Sequence, residues 1–229
     1  DIPDDYGKTL KTLLVIVIPI SLTASVQSVI NLVDTAQVMG VLETYTKDAG
    51  VLFGVYGKAQ TLYNLPPVMM SAMAVSVVPA ISAQTALKNV EGARDTAENA
   101  LRISAVLALP MAVGLAALCE PIMGTLYWGS AIQGPTLLMI LGVASLFLSM
   151  VTVMTGILQA GGKERLPVIA AVVGGVVKIL INRMLLAKPE INIYGAAIST
   201  LCCFFVIFVM DFLFLKSSLG AYPRLRKIF

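Results

Sequence analysis

Six apolar stretches, at about residues 12–40, 51–83, 100–118, 136–160, 166–187 and 193–215, fill most of the chain and are separated by short polar breaks. A helix needs roughly 20 residues to cross the hydrocarbon of a bilayer, at ~1.5 Å per residue. Each stretch therefore predicts one transmembrane helix. The expected fold is an all-α integral membrane protein, a single six-helix transmembrane bundle over residues 1–229 whose residues 216–229 form a basic tail. The first two stretches exceed a perpendicular span and must tilt, kink or protrude. Pro19 interrupts the first, Pro66, Pro67 and Pro79 the second, and Pro110 the third. Each removes a backbone donor and crowds the carbonyl one turn back, so these prolines are expected hinges or kinks. A weak echo relates the first and third stretches: Lys11 precedes Pro19 in KTLLVIVIP as Arg102 precedes Pro110 in RISAVLALP.

Composition narrows the chemistry. The hydrophobic fraction is 58% with 13% charged residues, and the mean hydropathy is +0.88, values outside the range of soluble domains. Histidine is absent, which removes histidine metal sites, histidine-activated nucleophiles and histidine proton relays. Cys119, Cys202 and Cys203 lack CxxC spacing and lie in apolar surroundings, so they read as small packing residues. No catalytic residue, metal or cofactor is expected. The net charge of +3 is modest and the basic residues are not interleaved with aromatics, so nucleic acid is not an expected partner. Lysine and arginine are distributed unevenly over the loops: Lys8, Lys11, Lys88, Arg94, Arg102, Lys163, Arg165, Lys216, Arg224, Arg226 and Lys227 share the side of the termini, against Lys47, Arg183 and Lys188 opposite. By the positive-inside rule both ends of the chain are cytoplasmic. The polar, acidic start from Asp1 to Lys11 is unlike a signal peptide and reads as a cut from a longer chain.

Polar and ionisable side chains inside the spans are the functional candidates, because lipid tolerates them only against a partner or a wet cavity. Gln27, Asn31 and Asp34 follow i, i+4, i+7 spacing with Ser28 beside them, one polar face on the first helix. Lys58 reaches a similar depth on the second helix, which predicts an Asp34–Lys58 pair. Lys178 lies near the middle of the fifth span, too deep for easy snorkelling, and needs an internal anion, water or a backbone carbonyl. Gly174 and Asn182 flank it one turn away on the same face, a glycine for close approach and an amide to share a polar ligand. Asp211, Glu120 and Arg183 lie nearer helix ends and are expected to reach the interface. Gly50 and Gly54 form a GxxxG expected to pack helices, and Met69, Met70 and Met73 to fill gaps around the prolines.

Three segments carry a family resemblance: YGKAQTLYNLPPVMMSAMAVSVVPAISA from Tyr56 to Ala83, ILQAGGKERLPVIAAVVGGVVKILIN from Ile157 to Asn182, and INIYGAAIST from Ile191 to Thr200. They resemble the multidrug/oligosaccharidyl-lipid/polysaccharide (MOP) flippase superfamily, in the branch of stage V sporulation protein B and the lipid II flippases. The likeness covers essentially the whole chain and corresponds to the second of the family's two six-helix lobes. It implies a bacterial plasma-membrane transporter, not an enzyme, that moves a polyprenyl-diphosphate-linked oligosaccharide such as a peptidoglycan precursor outward by alternating access. Its implied partners are that lipid-linked substrate, membrane lipids and an N-terminal lobe. Lys178 and Lys58 would then supply cationic charge to the phosphates. Asp34, Asn31, Gln27 and Asn182 would line the cavity, with Asp34, Asn31 and Gln27 supplying hydrogen bonds or a contact for a coupling Na+ or H+. One departure stands out: where well-studied lipid II flippases carry adjacent acidic and basic residues before the second-span proline, this chain has Gln60 and Thr61. The alternative is a cation-coupled multidrug exporter of the same superfamily, with Asp34 on the coupling cation.

Overall fold

The computed structural model describes residues 31–127, 133–188 and 191–219, apart from position 45, together with isolated positions between 18 and 29. All regular structure among the described residues is helical. Helix α1 is described over residues 31–42. It is followed by α2 (Ala49–Tyr63), α3 (Leu65–Ala86), α4 (Val90–Ala117), α5 (Cys119–Leu126), α6 (Gly134–Ala160), α7 (Arg165–Leu186) and α8 (Tyr194–Leu219). Among the described residues, five helical stretches are long and apolar enough to cross a membrane: Ala49–Ala86, Val90–Ala117, Gly134–Ala160, Arg165–Leu186 and Tyr194–Ser218. The first expected span falls largely outside the described residues, as do Pro19 and Gln27.

The differences from the expected spans have local causes. The second stretch is two helices rather than one kinked helix, because α2 stops at Tyr63 and α3 restarts with Pro66 and Pro67 in its first turn. Proline is tolerated there, where an amide hydrogen has no intrahelical partner. Pro79 and Pro110 do lie inside α3 and α4. Helix α4 begins at Val90, well before residue 100, since VEGARDTAENA is polar yet helix-forming and Asn89 caps it by accepting from the Gly92 amide at 3.0 Å. Helix α8 runs to Leu219, so Lys216 belongs to the helix rather than to a tail.

Helix α6 is the central post. In its most apolar stretch 61% of residues are buried, against 39% for Tyr194–Ser218 and less for the others. It carries no ionisable side chain and packs against α2, α3, α4, α5 and α8. Small residues set its closest approaches: a Cβ on Gly142 would lie 3.0 Å from the Ala116 amide nitrogen of α4, and one on Gly156 would lie 3.3 Å from Val78 of α3. Helix α7 packs chiefly on α8 and scarcely on α6. There a Cβ on Gly174 would collide with Ile207 and lie 3.3 Å from the Cys203 carbonyl. Among the described residues the expected GxxxG contact does not appear: a Cβ on Gly50 or Gly54 meets nothing within 4 Å. Of the methionines near the prolines, Met70 is buried while Met69 is exposed. Large apolar side chains such as Val75, Val106, Val176 and Leu213 remain on the outside, where hydrocarbon rather than water would meet them.

Candidate functional site

A polar network crosses the apolar bundle where α1, α7, α8 and α2 meet. Lys178 Nζ lies 2.9 Å from Asp34 Oδ2. Asn182, one turn along α7, donates through Nδ2 to Asp34 Oδ1 at 2.5 Å. Its own amide oxygen accepts from Ser199 Oγ on α8 at 2.6 Å. Ser199 and Thr200 both approach the Ala196 carbonyl, at 2.9 Å and 2.8 Å. From α2, the Tyr56 hydroxyl lies 3.2 Å from Thr200 Oγ1 and 3.4 Å from that same carbonyl. Asp34 and Lys178 are 4% and 5% exposed, so each charge depends on the other for compensation. The geometry arises from the sequence: Lys178 and Asn182 share a face of α7 with Gly174, whose missing side chain lets that face lie against α8.

Beside this network is a cavity of about 420 Å³. Asn31, Thr35, Gln60 and Asn64 line it with amides and a hydroxyl, and Phe53, Tyr56, Tyr63 and Phe204 with rings. Among the described residues, Asp34 alone gives its wall an acidic group. Asn31 and Asp34 line this cavity, while Lys178 does not and instead pairs with Asp34 behind the wall. Asn182 borders a smaller cavity of about 220 Å³ with Gln37, Val41, Arg183 and Leu186.

The expected Asp34–Lys58 pair does not form. Lys58 points its Nζ over the Tyr127 ring, 5.4 Å from the centroid. The reason is helical phase: Tyr56 faces the network, and two residues on the side chain is turned by about 200°. The same phase puts Gln60 and Tyr63 with Tyr56 at i, i+4, i+7, a polar and aromatic face that the spacing alone could have flagged. Ser199 and Thr200 gave no such signal, since hydroxyls are common in membrane helices. Asp211 also departs from expectation. It is fully buried rather than interfacial, and accepts from Thr155 Oγ1 of α6 at 3.1 Å. Glu120 and Arg183 are exposed. Among the described residues no group of three or more histidine, cysteine, aspartate or glutamate side chains could hold a metal.

The profile of the lipid II flippase MurJ family matches residues 3–228. The chain belongs to that family. The uncharacterised membrane protein YabM of Bacillus subtilis (strain 168) is 27% identical over 196 residues, which cover 85% of this chain and 36% of that protein. A MOP superfamily transporter from Pyrococcus furiosus superimposes with a TM-score of 0.75 at 20% identity, over 93% of this chain and 46% of that one. A MATE transporter in complex with Br-NRF superimposes with a TM-score of 0.73 at 21% identity, over 94% of this chain and 50% of that one. The MurJ-family chain therefore has the fold of a MOP-type membrane transporter lobe and spans between about a third and a half of the length of these relatives.

Proposed function

We propose that this chain forms the second lobe of a flippase that carries a polyprenyl-diphosphate-linked saccharide from the cytoplasmic to the outer leaflet of the bacterial plasma membrane. It works with an N-terminal lobe by alternating access, and both ends of the chain are cytoplasmic. A charged, sugar-bearing head group cannot cross hydrocarbon unaided, so the protein must offer it a polar path while the lipid tail stays in the bilayer. The observation that carries this reading is the cavity lined by Asn31, Thr35, Gln60 and Asn64 among aromatic rings. Neutral amides and hydroxyls suit the hydroxyl groups of a sugar, and ring faces suit its C–H surfaces.

The rival, a cation-coupled drug exporter, asks Asp34 to hold the coupling cation. An ammonium already sits on that carboxylate at 2.9 Å, which favours the flippase. The same pairing changes the role of Lys178: in this arrangement it compensates Asp34 and braces α1 against α7, rather than waiting for a phosphate. The test is translocation of a fluorescent lipid-linked disaccharide diphosphate by the full transporter in proteoliposomes. Gln60→Ala and Asn31→Ala each remove side-chain hydrogen bonds worth about 0.5–1.5 kcal/mol, so each should slow translocation about twofold to tenfold. Export of an organic cation driven by an ion gradient, with no lipid movement, would transfer the assignment to the exporter.

A further inference from the structure

Among the described residues Asp211 is the buried charged-type side chain that stands apart from the Asp34–Lys178 pair, and nothing in the cavity or its network uses it. It lies in the C-terminal half of α8, 0% exposed. One carboxyl oxygen, Oδ2, accepts from Thr155 at 3.1 Å. The other, Oδ1, has no hydrogen-bond partner. Met154 and Leu215, neighbours in sequence of Thr155 and one turn beyond Asp211 respectively, belong to one buried apolar cluster with Met150 and Leu158.

The helices packed against α8 offer it no compensating charge. Helix α6 contributes Thr155 and has no ionisable residue. On α7, Lys178 is bound to Asp34, Arg183 is exposed, and Arg165 stands at the helix start. On α4, which touches α8 lightly, Arg94 is paired with Glu98 at 2.9 Å and Arg102 is exposed. On α8 itself, Lys216 is exposed more than a turn beyond Asp211, and Tyr194, Cys202 and Cys203 lie toward the other end. Among the described residues, no lysine or arginine forms an ion pair with Asp211. A carboxylate in this position would keep a full negative charge in an apolar core with one hydroxyl for solvation. A proton removes that charge.

We propose that Asp211 is a proton-binding site, loaded while α8 packs on α6 and emptied when separation of the two helices admits water. It gives the transporter a place to exchange H+ that is separate from the substrate cavity. Proton binding then favours the packed arrangement and proton release the separated one. With one proton exchanged, the equilibrium between them changes by at most tenfold per pH unit.

The test is infrared spectroscopy of the full transporter in proteoliposomes, titrated with pH and without substrate. A protonated-carboxyl band should be present at neutral pH, disappear in Asp211→Asn, and move to higher frequency in Thr155→Val, which keeps the carboxyl but removes its hydroxyl donor. The band should also bleach as pH rises, and the pH dependence of an α6–α8 distance label should flatten in Asp211→Asn. Either of two results overturns the proposal: a wild-type carboxyl spectrum unchanged by both substitutions, or a band assigned to Asp211 that persists at alkaline pH, marking a permanently neutral structural group. Because no substrate enters, failure of lipid translocation leaves this result readable.

Discussion

The Asp34–Lys178 contact yields the sharpest quantitative expectation. At 2.9 Å and an effective dielectric of about 20, the attraction is about 6 kcal/mol, most of it offset by taking both charges out of water. The informative quantity is the cost of removing one partner, which strands the other charge and amounts to about 3–5 kcal/mol. Lys178→Met leaves Asp34 with the Asn182 amide at 2.5 Å, and so belongs near the lower end, about 3 kcal/mol. Asp34→Asn leaves an ammonium with no anion and belongs near the upper end, about 5 kcal/mol. The double substitution Asp34→Asn with Lys178→Met strands no charge and should lie within about 1 kcal/mol of the parent, as apolar replacements of buried pairs often do. Denaturant unfolding of the full transporter in detergent, followed by circular dichroism, gives all three values and closes the cycle. Single losses below about 1 kcal/mol, or a double loss equal to their sum, would rule out this pairing as a mutual dependence of two buried charges.

Two further expectations rest on packing and on the Ala196 node. Gly174→Ala drives a Cβ into Ile207 and to 3.3 Å from the Cys203 carbonyl; it should cost about 1–3 kcal/mol and lower the melting temperature. Gly50→Ala, with nothing within 4 Å, serves as the control and should change stability by less than about 1 kcal/mol, with any change favourable. Tyr56→Phe removes the hydroxyl that lies 3.2 Å from Thr200 and 3.4 Å from the Ala196 carbonyl. Since Thr200 keeps its own bond to that carbonyl, the loss in the same unfolding assay should be about 1 kcal/mol.

The face of α7 was legible because Gly174, Lys178 and Asn182 recur every fourth residue, and periodicity survives without coordinates. The partner of Asp34 was not legible from depth. Depth pointed to Lys58, and the rotation of α2, which turns Tyr56 inward and Lys58 outward, left Lys178 as the partner. That rotation is set by the packing of α2, chiefly on α6, and it brings the Tyr56 hydroxyl to the Ala196 carbonyl and Thr200 hydroxyl of α8, the first of them 140 residues away in sequence. Asp211 was misplaced for a related reason. Its distance from the end of the apolar run suggested an interfacial carboxylate, but α8 continues to Leu219 and presents Asp211 to α6 rather than to lipid. Hydropathy locates a residue along a helix; only packing fixes its direction.

Direction also explains why α8 links the two buried polar sites. Helix α6 is held to α3 and α4 by contacts at Gly156 and Gly142 that leave little room, whereas α7 reaches α6 mainly through α8. The ion pair and the Asn182–Ser199 bond join α1, α7 and α8 at one end of α8. Twelve residues on, about 18 Å at helical rise, the Asp211–Thr155 bond ties α8 to the α6 post. A displacement of α1 or α7 is therefore carried by α8 into the α6–α8 contact, and the polar tie it meets there is the one that depends on a proton. On the proposed function, substrate in the cavity lined by Asn31, Asp34 and Tyr56 and a proton at Asp211 would then act on the same helix at separate points. Coupling between them requires no charged residue along the path, only that α8 move as a rigid rod.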